Sequence, residues 1–187
     1  MKIGLFGGSF NPVHNRHIEI VNFLINKKIV DNVWIIPCGN HAFDKKLLDA
    51  KHRIEMISLS FKDRRVKIDK TEISSKEKSY TIETIRKIKN KFPKYKFYFI
   101  IGSDILKSFD KWYKSKELAS EIEFILFERR GHTTNPRHLK IYKKVKENIS
   151  NISSTKIRNL IKQKGNVSNN VPKEVEDYIL KNKLYLD

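Results

Sequence analysis

Gly7-Gly8-Ser9-Phe10-Asn11-Pro12-Val13-His14-Asn15-Arg16-His17 lies between the apolar run Ile3 to Phe6 and the apolar-periodic run Ile18 to Ile25. That order reads as strand, glycine turn, helix. The start of a helix carries unbonded N–H groups and the positive end of the helix dipole, so it favours an anion. Gly7 and Gly8 have no Cβ to keep backbone amides away from such a ligand. His14 and His17 are three positions apart and share a face if the first turn is already helical. Two imidazoles and a row of amides converging on one point suit a phosphate chain.

Outward from this stretch, strands alternate with helices. Lys2 to Phe6, Val33 to Pro37, Val66 to Ile68, Lys96 to Ile101 and Glu123 to Phe127 read as strands. His17 to Lys28 reads as a helix with Ile18, Val21, Leu24 and Ile25 on one face. Ala50 to Phe61 and Thr81 to Phe92 follow, the second with Ile82, Ile85, Ile88 and Phe92 in a stripe and Pro93 as its stop. A short helix is expected from Asp104 through Phe109, another over Pro136 to Asn148, and two closing helices over Ser154 to Gln163 and Pro172 to Lys181. Gly39 to Lys46, Thr71 to Ser79 and Arg130 to Pro136 read as loops. The alternation predicts an α/β fold, a Rossmann-like, doubly wound, mostly parallel sheet of five or six strands with helices on both faces. No repeat, low-complexity tract or linker divides the chain, so residues 1–187 are expected to form a single domain.

Composition narrows the classes of function. The chain carries 39 Lys+Arg against 21 Asp+Glu, a formal net charge of +18. These basic residues are scattered rather than striped, which reads as solvated faces, although the excess attracts small polyanions. A single cysteine, Cys38, excludes an internal disulfide and fits a reducing cytoplasm. It reads as a small half-buried residue beside a strand end. No apolar stretch approaches a membrane span and no charged-then-apolar leader opens the chain. A cytoplasmic protein without a membrane partner is therefore expected.

Two further stretches carry chemistry. Ile152-Ser153-Ser154-Thr155-Lys156-Ile157-Arg158 reads as a helix start capped by Ser or Thr. The same geometry binds anions, with hydroxyls and N–H groups on one side and Arg158 one turn on. Phe99-Ile100-Ile101-Gly102-Ser103-Asp104 ends a strand and opens a helix. Ligands of parallel sheets sit at the carboxyl ends of strands, while Asp104 also reads as an ordinary acid at a helix start. A lone H-x-x-H pair can bind zinc, but no Cys or acidic third ligand has recognisable spacing. No G-K-[ST] follows the glycines and G-x-G-x-x-G is absent, which excludes a P-loop and the dinucleotide fingerprint.

The opening stretch resembles the signature G-[ST]-F-D-P-x-H-x-G-H of the adenylyltransferase/cytidylyltransferase superfamily, with Asn11 in place of Asp and Arg16 in place of Gly. Residues 152–158 match the I-S-S-T-x-I-R motif of the same superfamily. Tyr98 to Asp104, Lys111-Trp112, Ser79-Tyr80-Thr81-Ile82 and Val171-Pro172 resemble the bacterial nicotinate-mononucleotide adenylyltransferases, and the likeness spans nearly the whole chain. Gly39 to Lys46 stands where bacterial members usually have P-P-H-K, and the later Leu48 and His52-Arg53 resemble the loop N-D-x-[YF]-x-K-K-x-L of the eukaryotic-type nicotinamide-mononucleotide enzymes. The resemblance implies an ATP-dependent enzyme of NAD biosynthesis that joins ATP and nicotinate mononucleotide, giving nicotinate adenine dinucleotide and pyrophosphate. It implies that Gly8, Ser9, Phe10, His14, His17, Gly102, Asp104, Ile152, Ser153, Ser154, Thr155 and Arg158 bind ATP, with His14, His17 and Arg158 catalytic. It implies a mononucleotide site made of Gly8, Ser9, Lys45, Lys46, Tyr80, Thr81, Asp104, Trp112 and Arg129, in which Trp112 stacks on the pyridine ring. Magnesium bridging the ATP phosphates, with no ligand from protein side chains, is the expected cofactor. The expected partners are ATP and the pyridine mononucleotide, without nucleic acid, and a homo-oligomer stays open. In the superfamily the Gly leaves space over the nucleotide, so Arg16 must point away or lie along the phosphates.

Such a reaction needs no general base. A phosphate monoester has a second pKa of about 6 and is mostly dianionic at neutral pH. Competing readings are nicotinamide mononucleotide, phosphopantetheine or a cytidylyl acceptor within the superfamily, a basic nucleic-acid-binding module outside it, and a relative made inactive by Arg16.

Overall fold

The computed structural model describes residues 1–41, 47–75, 77–128, 138–146 and 152–186. The chain opens with β1 (Lys2–Gly8), α1 (Asn15–Asn26) and β2 (Asn32–Pro37). Next come β3 (Asn40–His41), α2 (Ala50–Ser60), β4 (Val66–Ile68), β5 (Lys78–Ser79) and α3 (Thr81–Lys91). They are followed by β6 (Lys96–Gly102), a 3-10 segment (Leu106–Lys111), α4 (Ser115–Glu121), β7 (Glu123–Phe127), β8 (Ile141–Val145), α5 (Ser154–Lys162) and α6 (Lys173–Lys181). Six strands form one sheet in the order β4-β2-β1-β6-β7-β8, and every neighbouring pair is parallel. Strand order therefore reverses between β1 and β6, where a crevice opens at the strands' carboxyl ends. The two short strands β3 and β5 pair with each other apart from this sheet.

Side chains alternate across the sheet with the period of two that a pleated strand imposes. Val33, Ile35, Tyr98, Ile100, Ile125 and Phe127 face one core, closed by α1, α2, α5 and α6. Ile3, Leu5, Trp34, Ile36, Phe97, Phe99, Phe124 and Leu126 face the other, covered by Ile82, Ile85 and Ile88 of α3 and Leu118 of α4. Both faces are covered, which is why the central strands read as unbroken apolar runs. Leu5 is fully buried at the centre of the sheet. Leu5→Ala is expected to destabilise the fold by about 2–5 kcal/mol. A lower urea midpoint at unchanged slope would register it.

Several sequence expectations need correction. Within Pro136 to Asn148 the described residues, 138–146, contain strand β8 (Ile141–Val145) and no helix; β8 pairs with β7 at the sheet edge. An edge strand meets one neighbour only, so Lys143 and Lys144 stay exposed and hide its strand character. On α1 the buried stripe is Ile20, Val21, Leu24 and Ile25, joined by Arg16, and Ile18 is only half-buried. The stretches read as loops at 39–46 and 71–79 contain β3 and β5, each two residues long. The loop expected over Arg130 to Pro136 lies outside the described residues.

Candidate active site

A cavity of about 910 Å³ opens where strand order reverses. Its walls come from the β1–α1 turn, the end of β6, and the starts of α3 and α5. At the β1–α1 turn, Phe10 adopts a left-handed backbone, φ 45°, and its ring is buried. Phe6 and Phe10 both approach His17, with ring centroids 5.7 and 4.8 Å away. His17 also stacks on His14 at 3.7 Å and 16°. The His14 N–H donates to His17 Nδ1 at 3.2 Å. A neutral His17 ring with an accepting Nδ1 carries its proton on Nε2, so that nitrogen is a donor. Packing and this bond together fix the ring before any ligand arrives.

The start of α5 docks on the same turn. Ser153 caps the helix by accepting from the Lys156 N–H. The Ser154 hydroxyl donates to the Pro12 carbonyl at 2.9 Å. Arg158 Nη1 donates to the Asn11 carbonyl at 2.7 Å, and Nη2 donates to Thr155 Oγ1 at 3.2 Å. Tyr185 completes the joint by donating to Asn11 Oδ1 at 2.8 Å, and burial pushes its hydroxyl well above the usual tyrosine range. The partners are 142 and 147 positions apart in two of these bonds. Two stretches that each favour an anion on their own therefore form one wall.

At the end of β6, Gly102 and Asp104 border the cavity. A Cβ on Gly102 would stand 2.3 Å from Asp104 Oδ1, so glycine lets that carboxylate fold back over the strand end. Across from them Tyr80, Thr81 and Trp112 also border the cavity. Trp112 packs on Phe109 at 5.5 Å and meets Phe99 edge-on at 6.3 Å, and it remains half-buried. Tyr80 lies 4.4 Å from the Tyr113 ring.

The residues singled out from sequence divide as follows. Gly8, Ser9, Phe10, His14, His17, Gly102, Asp104, Ser153, Ser154, Thr155 and Arg158 all border the cavity, as do Tyr80, Thr81 and Trp112. Ile152 is not part of its lining and packs, partly buried, against the core. Lys45, Lys46 and Arg129 lie outside the described residues. Arg16 is buried and borders the cavity, which rules out a side chain pointing away into solvent. Its place on the stripe with Ile20 and Leu24, at four-residue steps, gave the signal for that. Among the described residues no group of three or more His, Cys, Asp or Glu comes together as a metal site.

Sequence reasoning gave no role to two charges at the site, the buried Arg53 and the half-buried Glu72. Arg53 Nη1 donates to the Ser9 carbonyl at 3.0 Å and Nε donates to the Leu48 carbonyl at 2.9 Å, bracing the turn from below. Beyond the family resemblance of His52-Arg53, its sequence signal is its position on the buried side of α2 with Met56 and Ile57. Glu72 also borders the cavity and bonds to Thr84 at 2.9 Å. Nothing in its polar surroundings marked it.

A family model described as cytidylyltransferase-like matches residues 5–160. The chain is 33% identical over 187 residues to the probable nicotinate-nucleotide adenylyltransferase of Bacillus pumilus, covering 98% of each chain. It is 34% identical over 188 residues to the nicotinate-nucleotide adenylyltransferase of Bacillus subtilis, again covering 98% of each. Among solved structures, the Plasmodium falciparum nicotinic acid mononucleotide adenylyltransferase complexed with NaAD superposes with a TM-score of 0.84 at 24% identity, over 98% of this chain and 97% of that one. That match establishes a shared fold. No helix among the described residues is long and apolar enough to cross a membrane.

Proposed function

The chain belongs to the cytidylyltransferase-like family, and we propose that it transfers the adenylyl group of ATP to nicotinate mononucleotide, giving nicotinate adenine dinucleotide and pyrophosphate in NAD biosynthesis. The observation that carries this reading is the docking of the α5 start on the Asn11–Pro12 turn, beside the stacked His14 and His17 rings. Hydroxyls, helix-start amides, a guanidinium and two imidazoles border one cavity, which is the donor set a triphosphate requires.

In the reaction a phosphate oxygen of the mononucleotide attacks the α-phosphorus of ATP. A new P–O bond forms, the bond from the α-phosphorus to the bridging oxygen breaks, and pyrophosphate leaves with that electron pair. The nucleophile is already anionic at neutral pH, so the protein's task is alignment and charge stabilisation. His17 donates from Nε2 to the α-phosphate as charge gathers there, with His14 beside it. Arg158, Thr155, Ser154 and the amides at the start of α5 and at Ser9–Phe10 hold the β- and γ-phosphates in line. Gly8, Ser9, Gly102 and Asp104 sit between the two substrates, and Tyr80, Thr81 and Trp112 receive the pyridine mononucleotide. A magnesium ion brought in with the phosphates would offset part of their charge. A cytoplasmic location fits the free thiol of Cys38.

The test is pyrophosphate release from ATP with nicotinate mononucleotide, nicotinamide mononucleotide and phosphopantetheine in parallel. Nicotinate mononucleotide is expected to give the fastest turnover. Turnover confined to phosphopantetheine, or none with any acceptor, would contradict the proposal.

A further inference from the structure

The end of the chain folds back onto the β1–α1 turn. After α6 the backbone turns left-handed at Lys183, φ 51°, and again at Tyr185, φ 65°. Residues with a Cβ seldom adopt that conformation. Between the two, Leu184 is buried and its N–H donates to the Ile179 carbonyl at 3.0 Å. The reversal carries the Tyr185 hydroxyl to the turn, where it donates to Asn11 Oδ1 at 2.8 Å. Burial pushes that hydroxyl well above the usual tyrosine range, with Arg158 and Arg53 opposing the rise, so it keeps its proton and acts as the donor. Asn11 is 4% exposed and borders the cavity. Its carbonyl accepts from Arg158 Nη1 at 2.7 Å. One residue is therefore gripped twice, at the main chain by the guanidinium and at the side chain by the chain end. The turn beyond it is anchored to the same C-terminal region. The Asn15 N–H donates to the Asn170 carbonyl at 2.9 Å, and its side-chain amide donates to the Asn169 carbonyl at 3.1 Å.

Resting on the function proposed above, we infer that Tyr185 is a positioning residue for adenylyl transfer, its hydroxyl fixing Asn11 and, through Asn11, the placement of Arg158 against the turn that carries His14 and His17. Tyr185 is not part of the cavity lining and acts only through Asn11. Asn11 and Arg158 are joined directly, so a shift of the turn at Asn11 moves the guanidinium with it. Many donors share the hold on bound ATP, and that hold tolerates a small shift. In-line attack at the α-phosphorus does not, because alignment there is a large part of the rate. The cost of losing the hydroxyl therefore falls on kcat.

Tyr185→Phe keeps the ring and removes the hydroxyl. The full chain is assayed with ATP and nicotinate mononucleotide well below its thermal midpoint, and kcat is taken per folded protein. Tyr185→Phe is expected to lower kcat about tenfold, the scale of a misplacement of part of an ångström, with both KM values nearly constant. The midpoint falls as well, because Asn11 Oδ1 loses a buried partner. Ile122→Val, in the core on the opposite face of the sheet, separates the two effects: it should lower the midpoint and keep kcat. Asn11→Ala removes the acceptor and should reproduce the loss, and Asn11→Asp, which still accepts from the hydroxyl, should recover most of it. The double variant Asn11→Ala with Tyr185→Phe should lose no more than either single one, as expected for two ends of one bond. If Tyr185→Phe does not fold, the two Asn11 variants decide. Wild-type kcat in folded Tyr185→Phe or Asn11→Ala protein, or losses that multiply in the double variant, would overturn the inference. Wild-type protein that turns over no acceptor would instead contradict the function itself.

Discussion

His17→Ala is expected to lower kcat by at least about 10²-fold, the usual loss on removing one positioned donor from a developing charge. The ring is held by stacking on His14 at 3.7 Å and by a tilted contact with Phe10 at 4.8 Å. Its Nδ1 is occupied by the His14 N–H, which leaves Nε2–H as the donor. Alanine removes that donor, and water cannot replace it in a fixed position. Since the effect lies in the transition state, kcat and kcat/KM should fall together while the ATP KM stays nearly constant. His17 is only half-buried, so the circular dichroism spectrum and thermal midpoint should stay near wild type. Near-normal turnover in a folded His17→Ala protein would defeat this assignment.

For Arg158→Ala the expected loss is about 10²–10³ in kcat/KM, with a raised ATP KM as part of it. This side chain has two roles. It carries positive charge at the start of α5, and its fork spans the Asn11 carbonyl and Thr155 Oγ1. Both walls of the phosphate site lose their register when it goes. Lysine restores the charge but not the planar fork, so Arg158→Lys should recover only part of the loss. Titration of the variants with a non-hydrolysable ATP analogue would measure the binding share directly. Wild-type affinity in Arg158→Ala would remove the guanidinium from the triphosphate site.

Much of this was legible in the sequence because the decisive signals are local. Lys96 to Ile101 and Val33 to Pro37 are runs of β-branched and aromatic residues buried on both faces, and each became a central strand. The strand-turn-helix at residues 3–25 and the hydroxyl-rich start of α5 each specify an anion site within one turn of chain. Signals that depend on distant partners were hidden. β8 reads as a charged helix until β7 is placed beside it. Arg53 and Glu72 look like solvated charges, yet they answer to Ser9 and to Thr84, 44 and 12 positions away. Arg16 was suspected only for departing from a motif, whereas its inward direction follows from the stripe it shares with Ile20 and Leu24. Tyr185, near the end of the chain, reaches Asn11 across 174 positions. No periodicity could announce that contact.

A crystal of the protein soaked with a non-hydrolysable ATP analogue gives the most direct test of the shared phosphate cradle. The expected density places the α-phosphate within hydrogen-bonding distance of His17 Nε2, with the two outer phosphates at the start of α5 beside Arg158. Well-ordered analogue bound elsewhere, with none between the stacked imidazoles and α5 at saturating concentration, would contradict the account.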